Sequence, residues 1–169
     1  CLTTMLLVII STVGNGVIHL QKSQAAGSYG SNYGLFVSAD GSQLKEVNRR
    51  AEIDATGTMC TEGIIKGNEK GGFVCMDEIA RKMLPYNKEY ELKEGKYPEK
   101  MQEIAAGRAF FRAMGYGDIK VGDTITLDYR AGMQSEYKPE EFVVSGILYD
   151  RDEYTIEASY VAFGSQEFY

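Results

Sequence analysis

The segment GKYPEKMQEIAAGRAFFRAMGYGDIKVGDTITL, from Gly95 to Leu127, decides the fold of the surrounding chain. Its order predicts a turn, a short helix, a second turn and a strand. Pro98 ends any element that precedes it, because proline fixes φ and has no N–H to donate. The strand is expected from Thr124 to Tyr129, where polar and apolar residues alternate as in a half-buried strand.

The helix of this segment is expected to begin at Glu103. Apolar residues then recur at three- and four-residue spacing, which is typical of one helix face; they are Ala106, Phe110, Ala113 and Met114. Gly115 follows, where a residue with positive φ would end the helix. The positions to which we assign structural roles as turns and caps are Gly95, Pro98, Gly115, Gly122 and Asp123.

The N-terminal part of the chain differs in composition from the rest. Leu2–Gln21 contains no charged residue, and about 20 such residues span a bilayer as a helix. We interpret residues 1–22 as a membrane helix truncated at its cytoplasmic end and 23–32 as a linker or helix extension. A secretory signal peptide and a buried soluble helix remain the alternatives. His19, the only histidine, is interpreted as a polar residue near the membrane interface.

Residues 33–169 mix strands and helices irregularly, which predicts an α+β domain with mixed sheets and short helices. The first strand is expected at Tyr33–Ser38, and Asp40 is expected to cap the helix after it. One or two strands are expected within Ile53–Ile65, with a bulge at Gly57. Asp77 is expected to cap a second helix. A polar loop is expected at Arg130–Pro139.

Cys60 and Cys75 flank the turn Lys66–Gly71 and can face each other across a hairpin. A disulfide between them is one interpretation, if the domain lies outside the cytoplasm. Two free buried thiols are the other.

No catalytic or metal-binding pattern is present in the sequence. A G-x-S-x-G motif is missing, and a single histidine does not provide a zinc site. The acidic run Asp150–Glu153 lacks the spacing of a calcium loop and is interpreted as a solvated turn. Arg108 and Arg112 share a helix face and are interpreted as solvent-facing. The formal net charge of −6 disfavours nucleic acid as a partner.

The order of these features resembles that of a known family. An apolar N-terminus, the G-x-x-P turn at Gly95–Pro98, V-G-D-T-I-T-L at Val121–Leu127 and the strand Glu141–Ile147 together resemble FtsX-like ABC-transporter permeases. The resembled region is their extracytoplasmic, MacB-like periplasmic core domain. The resemblance implies a two-lobed domain preceded by part of a transmembrane helix.

The resemblance also implies a non-catalytic role. ATP would be bound by a separate cytoplasmic subunit, so no cofactor is expected in this chain. A second permease copy or a related permease and the lipid bilayer, contacted through residues 1–22, are the further partners. The expected location is the cell membrane, with residues from about 23 onward extracytoplasmic. A ligand-sensing domain of a membrane receptor is the alternative, and a membrane-anchored hydrolase ranks third.

Overall fold

The computed structural model describes residues 17–24, 41–84, 90–150 and 160–165. The chain divides into two compact units, Cys1–Ala39 with Lys82–Tyr86 and Asp40–Arg81 with Asn87–Tyr169. Three of the expectations above, the strand Tyr33–Ser38, the cap Asp40 and the acidic residues after Asp150, lie outside the described residues.

Short helices and strands alternate in the described chain, which is an α+β fold, as the sequence predicts. The helices are α1 (17–24), α2 (Gly41–Asn48), α3 (Glu78–Met83) and α4 (Arg108–Ala113). The strands are β1 (Met59–Ile65), β2 (Phe73–Met76), β3 (Leu92–Gly95), β4 (Glu103–Gly107), β5 (Thr124–Arg130), β6 (Lys138–Leu148) and β7 (Ala162–Phe163). Among the described residues, no helix combines the length and the apolar character needed to cross a membrane.

The strands form one sheet in the order β3-β6-β4-β7-β2-β1-β5, and a further pairing between β5 and β6 closes six of them into a barrel. The long strand β6 organises this closure. Its residue Val143 lies opposite both Glu103 of β4 and Thr124 of β5, so these two strands occupy opposite edges of β6. β3 pairs with the last residues of β6, on the same edge as β5.

The barrel interior is filled by aliphatic and aromatic side chains. Alternation along β5 directs Ile125, Leu127 and Tyr129 inward, as the sequence predicts. Phe73, Tyr129 and Phe142 meet edge to face, with ring centroids 5.7–6.4 Å apart. Such contacts add to the stabilisation from burial of apolar area.

The expectation that the helix begins at Glu103 is wrong. Residues Glu103–Gly107 form β4, and α4 begins only at Arg108. Ile104, Ala105 and Ala106 are fully buried, since Ile104 and Ala106 lie in the main core cluster and Ala105 packs with Leu148 and Phe163 in a second one. The short run buried on both faces has no alternation to distinguish it from a helix, and sheet pairing decides its conformation.

Two further boundaries differ from the expectation. The bulge in β1 lies between Thr61 and Gly63 rather than at Gly57. Gly57 instead packs against the backbone of Ala80, where a Cβ atom would collide. The polar loop is shorter than Arg130–Pro139, because ladder pairs between β5 and β6 continue to Tyr129 and Lys138.

Candidate functional site at the β6 junction

Three of the five turn residues selected from the sequence converge on one part of β6. The N–H of Gly122 donates to the carbonyl of Val144 (2.8 Å), and the N–H of Val144 donates to the carbonyl of Asp123 (2.9 Å). Gly95 lies opposite Gly146 in the β3–β6 ladder. We call this region, formed by Gly95, 121–123 and 143–146, the β6 junction.

Gly95 is needed at the β6 junction for two reasons. Its φ is +78°, a conformation that residues with a Cβ rarely adopt. A Cβ atom there would also collide with the carbonyl oxygen of Ser145 and lie 2.9 Å from Val121 Cγ2. The close approach of β3 to β6 therefore depends on a glycine.

Asp123 closes the turn that precedes β5. Its Oδ2 accepts the N–H of Lys120 (2.8 Å), and its own N–H donates to the carbonyl of Lys120 (3.1 Å). This β-turn of residues 120–123 places the start of β5 beside Val144.

Glu103 fixes the loop between β3 and β4. Its Oε2 accepts the N–H groups of Glu99 (2.9 Å) and Lys100 (3.1 Å). Burial by itself would raise the pKa of Glu103, but these hydrogen bonds and two nearby lysines outweigh it and hold the pKa below the usual 4.5. The carboxylate therefore serves as a structural acceptor for the loop.

Arg108 links three segments beside the β6 junction. Its Nη2 donates to Glu94 Oε1 of β3 (2.9 Å), and its Nη1 donates to the carbonyl of Ile119 (3.1 Å). The expectation that Arg108 faces solvent is therefore wrong in part, since its side chain is only 34% exposed. Arg112 is exposed, as expected.

Apolar side chains lie on the surface around the β6 junction. Met101 is 56% exposed, Val121 43% and Val143 40%. The N–H of Val143 donates to the carbonyl of Gln102, which places Met101 and Val143 in adjoining segments. Glu94 and Lys96, which flank Gly95, form ion pairs with Arg108 and Glu99.

The other two turn residues lie away from the β6 junction ladder. Pro98 is half-buried in the irregular segment between β3 and β4. Gly115 follows α4 with φ +92°, the positive φ expected from the sequence. The N–H groups of Gly115 and Tyr116 donate to the carbonyls of Arg112 (3.0 Å) and Phe111 (2.8 Å), which is a Schellman motif.

The Schellman motif directs Tyr116 onto the edge of β5. The Tyr116 hydroxyl donates to the carbonyl of Thr126 (2.7 Å) and accepts the N–H of the same residue (2.9 Å). One side chain thus satisfies both backbone groups where a neighbouring strand would otherwise be needed.

Cys60 and Cys75 form a disulfide. They are directly opposite in the β1–β2 ladder, with Cα atoms 5.3 Å apart. This separation lies within the range of protein disulfides. Cys75 is only 2% exposed, and Cys60 is half-buried.

Two aspartates, Asp150 and Asp77, each accept a backbone N–H at the start of a helix. Asp150, interpreted above as part of a solvated turn, accepts the N–H of Ala109 (2.7 Å) and caps α4. Ala109 and Asp150 are 41 residues apart, so no local sequence pattern predicts this cap. Asp77 caps α3 through Ala80 (2.7 Å), as expected, and its Oδ2 also accepts the N–H and the hydroxyl of Thr58, both at 2.7 Å.

Among the described residues, no group of three or more His, Cys, Asp and Glu side chains is arranged to hold a metal ion. The described charged groups around the β6 junction form ion pairs and turn contacts.

Comparison with protein-family models finds no match to this sequence, and comparison with curated proteins finds none either.

Proposed function

We propose that this chain is the extracytoplasmic domain of an FtsX-like ABC-transporter permease, held at the membrane by its N-terminal segment. The domain is non-catalytic in this proposal. It transmits the conformational change driven by a separate cytoplasmic ATPase to a lipid-linked, peptide or protein cargo. The two-lobed, MacB-like arrangement belongs to the same proposal.

The Cys60–Cys75 disulfide is the observation that carries the extracytoplasmic part of the proposal. Disulfides persist in oxidising compartments and are rare in the cytosol, where thiols are kept reduced. The pair lies in register across one hairpin, with one partner buried, so the bridge is an integral part of the domain.

Exposed apolar side chains of α1 support attachment to a membrane. Val17, Ile18 and Leu20 are 48%, 51% and 59% exposed on this helix. They belong to the uncharged segment Leu2–Gln21. Large apolar side chains exposed together favour burial against lipid or another apolar surface.

The β6 junction supports a mechanical role. β6 pairs with β4 along one edge and with β5 and β3 along the other. A displacement applied to one of these strands is passed to the others through backbone hydrogen bonds. The exposed apolar residues Val121 and Val143 give this region a surface for a second permease copy or the cargo.

The proposal is tested by tagging the protein that contains this chain in its native cell and identifying the proteins that co-purify from solubilised membranes. An ATPase with a Walker A motif, retained by the tagged protein and lost on deleting residues 1–32, is the expected result. A kinase or methyl-accepting partner would instead favour the sensor. A chain recovered from the cytosol without such a partner would contradict the proposal.

A further inference from the structure

The two strands of the hairpin formed by β1 and β2 are joined to each other near its base. At its base, Asp77 accepts two hydrogen bonds from Thr58, and the N–H of Asp77 donates to the carbonyl of Thr58 (3.1 Å). Two residues further in, the Cys60–Cys75 disulfide joins the strands covalently. The hairpin is therefore a covalently linked unit, and both of its strands connect to the rest of the chain at the same end.

The hairpin joins the rest of the barrel through short seams. Within the described residues, β1 pairs with β5 at Ile64 and Ile65 only, and β2 pairs with β7 at Phe73 and Val74 only. The β5–β6 ladder, by contrast, has six residue pairs in continuous register. Fewer backbone hydrogen bonds across a seam mean a smaller free energy for opening it.

Asn68 fastens the tip of the hairpin. Its Nδ2 donates to the carbonyl of Tyr160 (2.9 Å), and its Oδ1 accepts the N–H of Tyr160 (3.0 Å). Asn68 is 3% exposed, so both bonds are shielded from water. Gly71 permits this contact, because a Cβ atom there would collide with the Asn68 amide and the Tyr160 carbonyl.

We propose that the β1–β2 hairpin is a flap that opens from the barrel as one body about its base at Thr58 and Asp77, with Asn68 as its latch. The disulfide keeps the two strands together during opening, while both seams open in the same event. Opening withdraws Phe73 from its contacts with Tyr129 and Phe142. This inference does not depend on the transport proposal.

Native-state hydrogen exchange of the 169-residue chain tests the flap without any variant. The seam amides Lys66, Ala162 and Gly164 donate to Asp128, Gly72 and Val74. We expect these three to share one protection factor, on the order of 10-fold or more below that of Val144, which donates to Asp123 in the β6 junction. Equal protection of all four amides, or unrelated values for the three seam amides, would overturn the proposal.

The Asn68→Ala variant tests the latch. We expect it to accelerate exchange of all three seam amides by the same factor and to leave Val144 unchanged. Thr56→Ala is the control, since it removes an exposed hydrogen bond to Asn48 outside the barrel. If Asn68→Ala fails to fold, comparing the seam amides with Val144 in the unmodified chain still tests the flap proposal. Acceleration that includes Val144 equally would show that the barrel opens only as a whole.

Discussion

Asp150, which follows β6, accepts a hydrogen bond from the backbone N–H of Ala109 in the first turn of α4. The contact joins the end of one barrel strand to the helix that follows another. It replaces the N-cap that Gly107 cannot provide, because glycine has no side chain.

Replacing Asp150 with Ala should destabilise the domain by about 1 kcal/mol, the usual cost of losing a helix cap. Urea unfolding followed by circular dichroism measures the change. Asp118→Ala is the matched control, because Asp118 is an exposed aspartate in a nearby bend. Equal effects of the two substitutions would contradict the capping role.

Gly115→Val should destabilise the domain by about 1–2 kcal/mol, the cost of a left-handed conformation for a residue with a Cβ. A Cβ atom at Gly115 meets no neighbour within 4 Å, so the backbone conformation alone is tested. Gly117→Val is the control, since its surroundings are equally open and its φ is not positive. The prediction fails if both variants unfold at the same denaturant concentration.

Asp77→Ala should lower stability by about 1 kcal/mol at neutral pH, because the cap of α3 and the bonds to Thr58 are lost. Burial by itself would raise the pKa of Asp77, but its hydrogen bonds outweigh burial and place the pKa below the usual 3.8. A lowered folded-state pKa gives stability that is present above pH 3.8 and lost as pH falls through the folded value.

The difference in unfolding free energy between the wild type and Asp77→Ala should therefore shrink as pH falls through the pKa of Asp77 in the folded protein. Denaturant titrations between neutral pH and strongly acidic pH provide the measurement. A difference that stays constant over this range would argue against an ionised Asp77 as the cap.

Removing the disulfide, as in the double variant Cys60→Ala and Cys75→Ala, should destabilise the domain by about 3 kcal/mol. This is the loop-entropy contribution for a bridge with a sequence separation of 15 residues. Reductant should lower the stability of the wild type and leave the double variant unchanged. A reductant effect of equal size in both proteins would show that its target is not this bridge.

The sequence predicts the parts of the fold that depend on local chemistry. Strand β5 follows from its alternation, the end of α4 from Gly115 and the cap of α3 from Asp77. The start of α4 is not predictable in this way, because Ile104–Ala106 is buried on both faces and its conformation depends on pairing with strands that are distant in sequence.

For the candidate site too, the sequence predicts the local features and does not predict the contacts between distant segments. Gly95, Gly122 and Asp123 are recognisable as turn residues, yet their convergence on β6 depends on sheet pairing. Asn68 and Tyr160 are 92 residues apart, and no local pattern connects them. Barrel closure likewise depends on which strands meet, whereas hydrophobic periodicity reports only which face of each strand is buried.

The oxidation state of Cys60 and Cys75 in cells tests the central claim, an extracytoplasmic domain, most directly. A Cys1→Ser chain leaves only these two cysteines. Cells are quenched in acid, and the protein is denatured and treated with a mass-tagged maleimide before or after reduction. The account predicts no tag before reduction and two tags after it; two tags without reduction would mean free thiols and would contradict it.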